Sequence, residues 1–276
     1  MNEPNDAGRA AAYWGRAHLA QTVLNALVAA GKDLDRLTVD ELAATDQFHG
    51  GGRPATLRLA ELAGLNRPAP VPRKVLDVGG GLGGPARTLA SLYGCTVTVI
   101  DLTESYVEAA KILTERVGYG ERVTHQVGNA LDLPFDDGQF DVVWTQNSGM
   151  NIADKATLYG GFHRVLRSGG TLAFQEPMAG EVSPPHLPLM WADDPSMSFL
   201  RPPADMRALI AGLGFAEQAW EIVTEAASSA SAPPTPPHAV QLLIMGAERL
   251  AAVQAAGRRN IDERRIATVH AVFTKR

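Results

Sequence analysis

Residues 74–84 read KVLDVGGGLGG: a short apolar run closing on Val78, then five glycines in six positions, with Pro85 directly behind them. Val75, Leu76 and Val78 suit a buried strand, and proline suits a first helical turn, so the stretch reads as strand, turn and helix. Glycine costs backbone entropy, so this density implies a positive φ or a close approach at several of these positions. A helix N-terminus behind such a turn favours anionic or polar ligand groups.

The spacing Gly79-x-Gly81-x-x-Gly84 also fits the dinucleotide fingerprint, and Asp101, closing CTVTVID (95–101), stands about twenty residues on, where an acid takes ribose hydroxyls. An adenosine ligand follows. These residues alone leave two open, a nicotinamide dinucleotide and S-adenosylmethionine, because both carry the ribose diol.

Outward from this turn, apolar strands alternate with helical stretches: strand 74–78, helix 85–93, strand 95–101, helix 104–117, strands 122–127 and 140–145, helix 155–166, strand 171–176. That rhythm predicts an α/β fold with a doubly wound, mostly parallel sheet. Ligands of such sheets bind beyond the carboxyl ends of the strands. Asp77, Asp101, Asn129 to Leu131, Gln146 and Glu176 all fall at predicted strand ends.

Upstream, Leu19, Val23, Leu24, Leu27 and Val28 are spaced for a helix over 10–30 that stops at Gly31. Thr38 with Glu41 makes a capping box for a second helix, and a third follows the glycines of DQFHGGGRPAT (46–56) and ends at Gly64. Residues 1–70 are thus expected to form an N-terminal helical cap on a domain spanning 71–276. Residues 181–203, rich in proline, methionine and aromatics without a period, suit a lid. SSASAPPTPPH (228–238) reads as a surface loop, followed by a helix over about 239–256 and a final strand in ATVHAVFTKR (267–276).

Of the 276 residues, 45% are hydrophobic and 20% charged, enough for a sizeable core, and the net charge is −5 with no basic stripe. That excludes nucleic acid as an expected partner. No apolar run is long enough to span a membrane, and MNEPNDAGRA is not a secretory leader, so a cytoplasmic location is expected. The single cysteine, Cys95, excludes an internal disulfide, and no metal site is expected. His18, His125, His163 and His270 read as surface or packing residues. The oligomeric state is open.

Several motifs in order then resemble the class I S-adenosylmethionine-dependent methyltransferases: VLDVGGGLGG (75–84), VTVIDLT (97–103), GNALDLPFDDGQFDVVWTQNSGMNIADK (128–155) and FHRVLRSGGTLAFQEP (162–177). DQFHGGGRPAT and QNSGMNI (146–152) resemble the sarcosine/dimethylglycine-type and natural-product members. Asn129 stands where that family usually has aspartate, and Ser168 where it has proline. The resemblance implies a seven-stranded Rossmann-like sheet with an antiparallel last strand over 267–274, S-adenosylmethionine as cofactor and methyl transfer to a small molecule. Asp77, Gly79, Gly80 and Gly81 would approach the methionine part. Asp101 would hold the ribose, and Leu102, Asn129, Ala130 and Leu131 would frame adenine. Gln47 and Gln146 would reach the same pocket. Glu176 and His49 are the candidates for chemistry on the acceptor, and Tyr13, Trp14, Met150, His186, Trp191 and Phe199 for holding it. The rival readings are a nicotinamide-dependent oxidoreductase, which does not call for the LPF-x-D-x-x-FD pattern at 133–141, and a non-catalytic cofactor-binding module.

Overall fold

The computed structural model describes residues 6–223, 242 and 244–276. Seven strands form one sheet: β1 (Lys74–Val78), β2 (Thr96–Asp101), β3 (Val123–Val127), β4 (Phe140–Gln146), β5 (Leu166–Ala179), β6 (Phe215–Ile222) and β7 (Ile266–Lys275), in the order β3-β2-β1-β4-β5-β7-β6. The first five run parallel, and β7 lies antiparallel between β5 and β6. The strand order reverses between β1 and β4, so their carboxyl ends splay apart and leave the crevice that ligands use in this architecture.

Helices cover both faces. On one, Phe162 and Val165 of α7 (Lys155–Val165) and Met206 and Ile210 of α8 (Pro203–Gly212) pack on Leu76, Val143 and Phe174. On the other, Leu59 and Ala60 of α4 (Gly52–Leu62) and Ala86 and Leu89 of α5 (Gly84–Tyr93) pack on Val75, Val97 and Trp144. Cys95 is buried in this second layer, where desolvation pushes its thiol up to about 11. A third cluster joins α2 (Leu19–Ala29), α6 (Glu104–Arg116) and α9 (Ala247–Asp262) through Val23, Leu27, Leu113 and Leu250.

The helix predicted over 10–30 is two helices, α1 (Asp6–Trp14) and α2, broken at Gly15–His18, with His18 in the left-handed region. The break turns α1 away from the apolar line of α2 and lays it over the crevice. Thr38 caps α3 (Val39–Asp46) with the predicted capping box. Strand β5 is longer than the predicted 171–176, since Leu166–Ala179 also pairs with β4 and β7. The strand β6 has no counterpart in the sequence reading: it is a half-exposed edge strand, and a register shift between Glu217 and Ala219 breaks its period of two. Within the helix predicted over about 239–256, residues 242, 244 and 245 are helical, Gly246 interrupts, and Ala247–Asp262 forms the last helix; the loop predicted at 228–238 lies outside the described residues.

Candidate active site

A cavity of about 260 Å³ opens at the carboxyl ends of β1, β2 and β4. Its floor is the turn the sequence analysis began from, with Asp77, Gly79, Gly80, Gly81 and Leu82 on the wall. Much of the glycine density serves the protein's own packing. A Cβ on Gly84 would stand 2.5 Å from the backbone oxygen of Asp46, and one on Gly79 would stand 2.4 Å from Cβ of Ser148. Gly81 differs: its φ is +53°, a Cβ would meet only Tyr106 at 3.8 Å, and its amide donates to Asp101 Oδ2 at 2.9 Å. The loop is bare partly to admit α3 and the β4 end, and open to a ligand chiefly near Gly81.

Asp101 accepts a second amide, from Thr103, at Oδ1. Each carboxylate oxygen keeps a further lone pair for a hydroxyl. Leu102, Thr103 and Tyr106 continue the wall from this strand end, and Gly128, Asn129, Ala130 and Leu131 close the far side beyond β3. Asn129 turns its side chain back on its own loop, accepting from the Leu131 amide at 2.9 Å.

Asp77 is 1% exposed, and its Oδ2 has no hydrogen-bond partner among the described residues. Burial first, and then the charge of Asp101, push its carboxyl up to about 7. Asp46 presents a second such atom: its Oδ2 takes Arg87 Nη2 at 2.7 Å while Oδ1 has no partner among the described residues. Asn147, at φ 54°, leaves a third in Oδ1. All three residues are on the cavity wall. Buried acceptors without donors are costly, so a site carrying three is built for a ligand that donates.

The segment after α3 is held over the cavity by a side-chain network. Gln47 donates to Thr88 and accepts from Thr56, and Thr56 also lies 3.1 Å from Gln146 Oε1. Gln146 donates to Gln175 Oε1 at 2.8 Å, and Gln175 donates to the Gly50 carbonyl at 2.7 Å. Phe48 and His49 are thereby set on the wall, whereas Gln47, proposed to touch the cofactor, is buried behind them and acts as a strut. Gln146 does reach the wall, but Thr56, Trp144, His49 and Gln175 already use its amide. The ring nitrogens of His49 lie 3.0–3.4 Å from Gly50, Gln47, Thr56 and Gln146, and burial holds the imidazole down to about 4, so it is neutral at pH 7.

Glu176 does not reach the cavity. It is 4% exposed, and its Oε1 accepts the amides of Ser148 and Gly149 at 3.1 and 2.8 Å. Lys155, whose ammonium burial draws down to about 8, donates to the carbonyls of Gly149 and Ile152 from the same side. Together they fix the 147–152 loop at the end of β4.

Of the six residues read as acceptor contacts, only Trp14 is on the cavity wall. Tyr13 packs edge-on against Trp14 and donates to the Met190 carbonyl. Met150 and Trp191 are core residues of a small cluster behind the loop. Phe199 faces a slight cleft beside Arg9, Ala10 and Met197. His186 sits 2.7 Å from Glu263, with its backbone clasped by Asn260. Aromatic side chains in an aperiodic segment are equally suited to packing, and here packing won. Sequence reasoning missed Asp46, Phe48, Tyr106, Asn147 and Asn151. Asp46, Phe48, Asn147 and Asn151 had a signal, inside the quoted DQFHGGGRPAT and QNSGMNI stretches, and Asn147 also stood at a predicted strand end; Tyr106 had none.

Residues 76–174 match the family described as a methyltransferase domain. The chain is 34% identical over 147 residues to a sarcosine/dimethylglycine N-methyltransferase of Halorhodospira halochloris, covering 53% of each chain. It is 40% identical over 101 residues to a probable chloroplastic tocopherol O-methyltransferase of Oryza sativa subsp. japonica, covering 37% of this chain and 28% of that one. The matches thus span about half, or less, of the length of these relatives. The geranyl diphosphate C-methyltransferase of Streptomyces coelicolor A3(2), solved with Mg²⁺, geranyl diphosphate and S-adenosyl-L-homocysteine, superposes with TM-score 0.68 over all of both chains at 15% identity, a likeness of fold. The matched residues run from within β1 to within β5, and the cavity lies at the ends of these strands.

Proposed function

We propose that the protein binds S-adenosylmethionine in this cavity and transfers its methyl group to a small molecule. The observation that carries this reading is the set of acceptors at one strand-end cavity, with Asp101 beside the Gly81 amide and Asp77 Oδ2 buried without a partner. The group supplies a sulfonium methyl carbon, a ribose diol and a methionine ammonium. Asp101 would take the diol, Asp77 the ammonium, and Leu102 and Ala130 would flank the purine. Glu176 and Lys155 act only through the loop they fix.

Methyl transfer is an in-line displacement: the acceptor's lone pair forms the bond to carbon as the carbon–sulfur pair returns to sulfur. What the chain contributes is alignment and exclusion of water. A neutral His49 whose conjugate acid forms only near pH 4 is a weak base. The acceptor is therefore one that needs little help, or one that loses its proton to water. No metal step is part of this reading, and among the described residues no group of three His, Cys, Asp or Glu could hold an ion. Full turnover in the presence of a chelator is the expected outcome. No described helix is long and apolar enough to cross a membrane.

Calorimetry with S-adenosylhomocysteine tests the reading. Asp101→Ala is expected to weaken binding by about 1.5–3 kcal/mol, roughly 10- to 100-fold. Tight binding of a reduced nicotinamide cofactor with none of S-adenosylhomocysteine would replace this proposal by the oxidoreductase one.

A further inference from the structure

Beyond the strand-end loops of β1 to β3 the wall is mixed: α1 gives it an apolar face of Ala7, Ala10 and Trp14, continued by Phe48, Ile152 and Ala153, while Asp46, His49, Gln146, Asn147, Ser148, Asn151 and Asp154 are polar. Its charged members are all acidic. Asp46, Asp77, Asp101 and Asp154 are on the wall, and no lysine or arginine is, among the described residues. Residues 1–5, 224–241 and 243 contain neither lysine nor arginine.

The cations on flanking elements are turned to other partners. Arg87 is fully buried on Asp46, Thr114 and the Leu82 carbonyl. Lys155 is spent on two carbonyls behind the loop, and Arg16 on those of Tyr13, Gly15 and Ile244. Arg53 pairs with Asp40, Arg9 faces the separate cleft beside Ser196 and Met197, and Arg201 is exposed. The amide of Asn151 is committed to the Trp191 and Met197 carbonyls, so it offers no donor to an anion. An anionic acceptor would enter a carboxylate-lined, partly dry site in which no protein side chain supplies a counter-charge, leaving the sulfonium alone against four carboxylates. A cationic one would meet the sulfonium it must approach within bonding range.

Resting on the methyl-transfer reading, we infer that the acceptor of this cavity is an uncharged molecule with an apolar face for α1, and that phosphate, diphosphate and carboxylate acceptors are refused. The pocket selects by the charge it cannot neutralise and by the apolar face of α1.

The test uses two matched probe sets on the full chain, each sharing one hydrocarbon body. The first is geraniol, geranylamine and geranyl diphosphate, the last with and without Mg²⁺; the second is 2-naphthalenemethanol and 2-naphthoate. Anions are compared with their uncharged partners by calorimetry in the protein saturated with S-adenosylhomocysteine and in the apo protein; geranylamine is compared with geraniol only beside sinefungin, whose amino group carries the charge that S-adenosylhomocysteine lacks. At least one uncharged probe should bind, and its charged counterparts should bind at least tenfold more weakly. The inference is overturned if an anion or the ammonium binds as well as its uncharged partner. It is equally overturned if neither uncharged probe binds. Failure of S-adenosylhomocysteine to bind would refute the transfer reading separately, since the ranking in the apo protein still decides this one.

Discussion

Asp77 closes β1 with a carboxyl that is costly to the empty protein. Its ordinary value in an unfolded chain is about 3.9, whereas burial raises it to about 7 in the folded state. Between roughly pH 4 and pH 7 the folded chain therefore holds a proton that the unfolded chain has released, and stability falls as pH rises through that window. Above it the whole cost, of order a few kcal/mol, is present. A ligand ammonium against Oδ2 would offset it. Asp77→Asn is thus expected to raise the melting temperature of the apo protein by several degrees at pH 8 and to change it little below pH 4. The same change should weaken S-adenosylhomocysteine about 10- to 100-fold. An apo variant melting no higher than wild type at pH 8 would show that Asp77 is not the strained group. Glu176 is the contrasting residue. Its removal as Glu176→Gln should loosen the 147–152 loop and lower turnover while S-adenosylhomocysteine affinity stays within about threefold. A base typically costs 10²- to 10⁴-fold and erases the basic limb of the pH profile, so a variant that is slower but keeps its pH profile identifies a positioning residue.

Among the elements, the strand-turn-helix at 74–93 was legible because every level agreed there: an apolar run, obligatory glycines and a proline at the helix start. The capping box at Thr38 was equally local. What could not be read was which partner each side chain would choose. Gln47 and Gln146 carry the same chemistry, yet one is a strut and the other reaches the wall, and that choice depends on Thr56, Thr88 and Gln175, up to 128 residues from Gln47. Glu176 stands where sequence reasoning ended β5, although the strand continues to Ala179, and the 147–152 loop meets it with two backbone amides. The struts themselves are testable. Gln175→Leu removes the donor to Gly50 and the acceptor of Gln146, and is expected to cost about 1–3 kcal/mol. It should also weaken S-adenosylhomocysteine several-fold, because Phe48 and His49 lose their anchor. Unchanged affinity with lowered stability would mean that the 46–51 segment does not cover the ligand.

At the scale of the molecule, the question is what closes the cavity. The aperiodic segment 181–203 invited the role of lid, yet its described contacts lie behind the wall. Trp191 and Leu189 form a core with Met150, the carbonyls of Trp191 and Met197 hold Asn151, the Phe199 amide meets the Met150 carbonyl, and Asn260 clasps His186. From there the segment buttresses the 147–152 loop. α1 is placed differently. It is nine residues long, too short to hold itself as an isolated helix, and it gives Ala7, Ala10 and Trp14 to the cavity while Trp14 Nε1 reaches Asn151 Oδ1. Its order depends on the surface it covers, and a bound ligand extends that surface. Hydrogen exchange should therefore slow on adding S-adenosylhomocysteine across residues 6–14 and 46–51, by at least tenfold at amides of α1, and change little across 181–203. The reverse pattern, protection of 181–203 with α1 unaffected, would return the lid to the later segment and leave α1 a passive cap. It would also remove the apolar face on which the acceptor inference rests, so the exchange map and the probe ranking must agree.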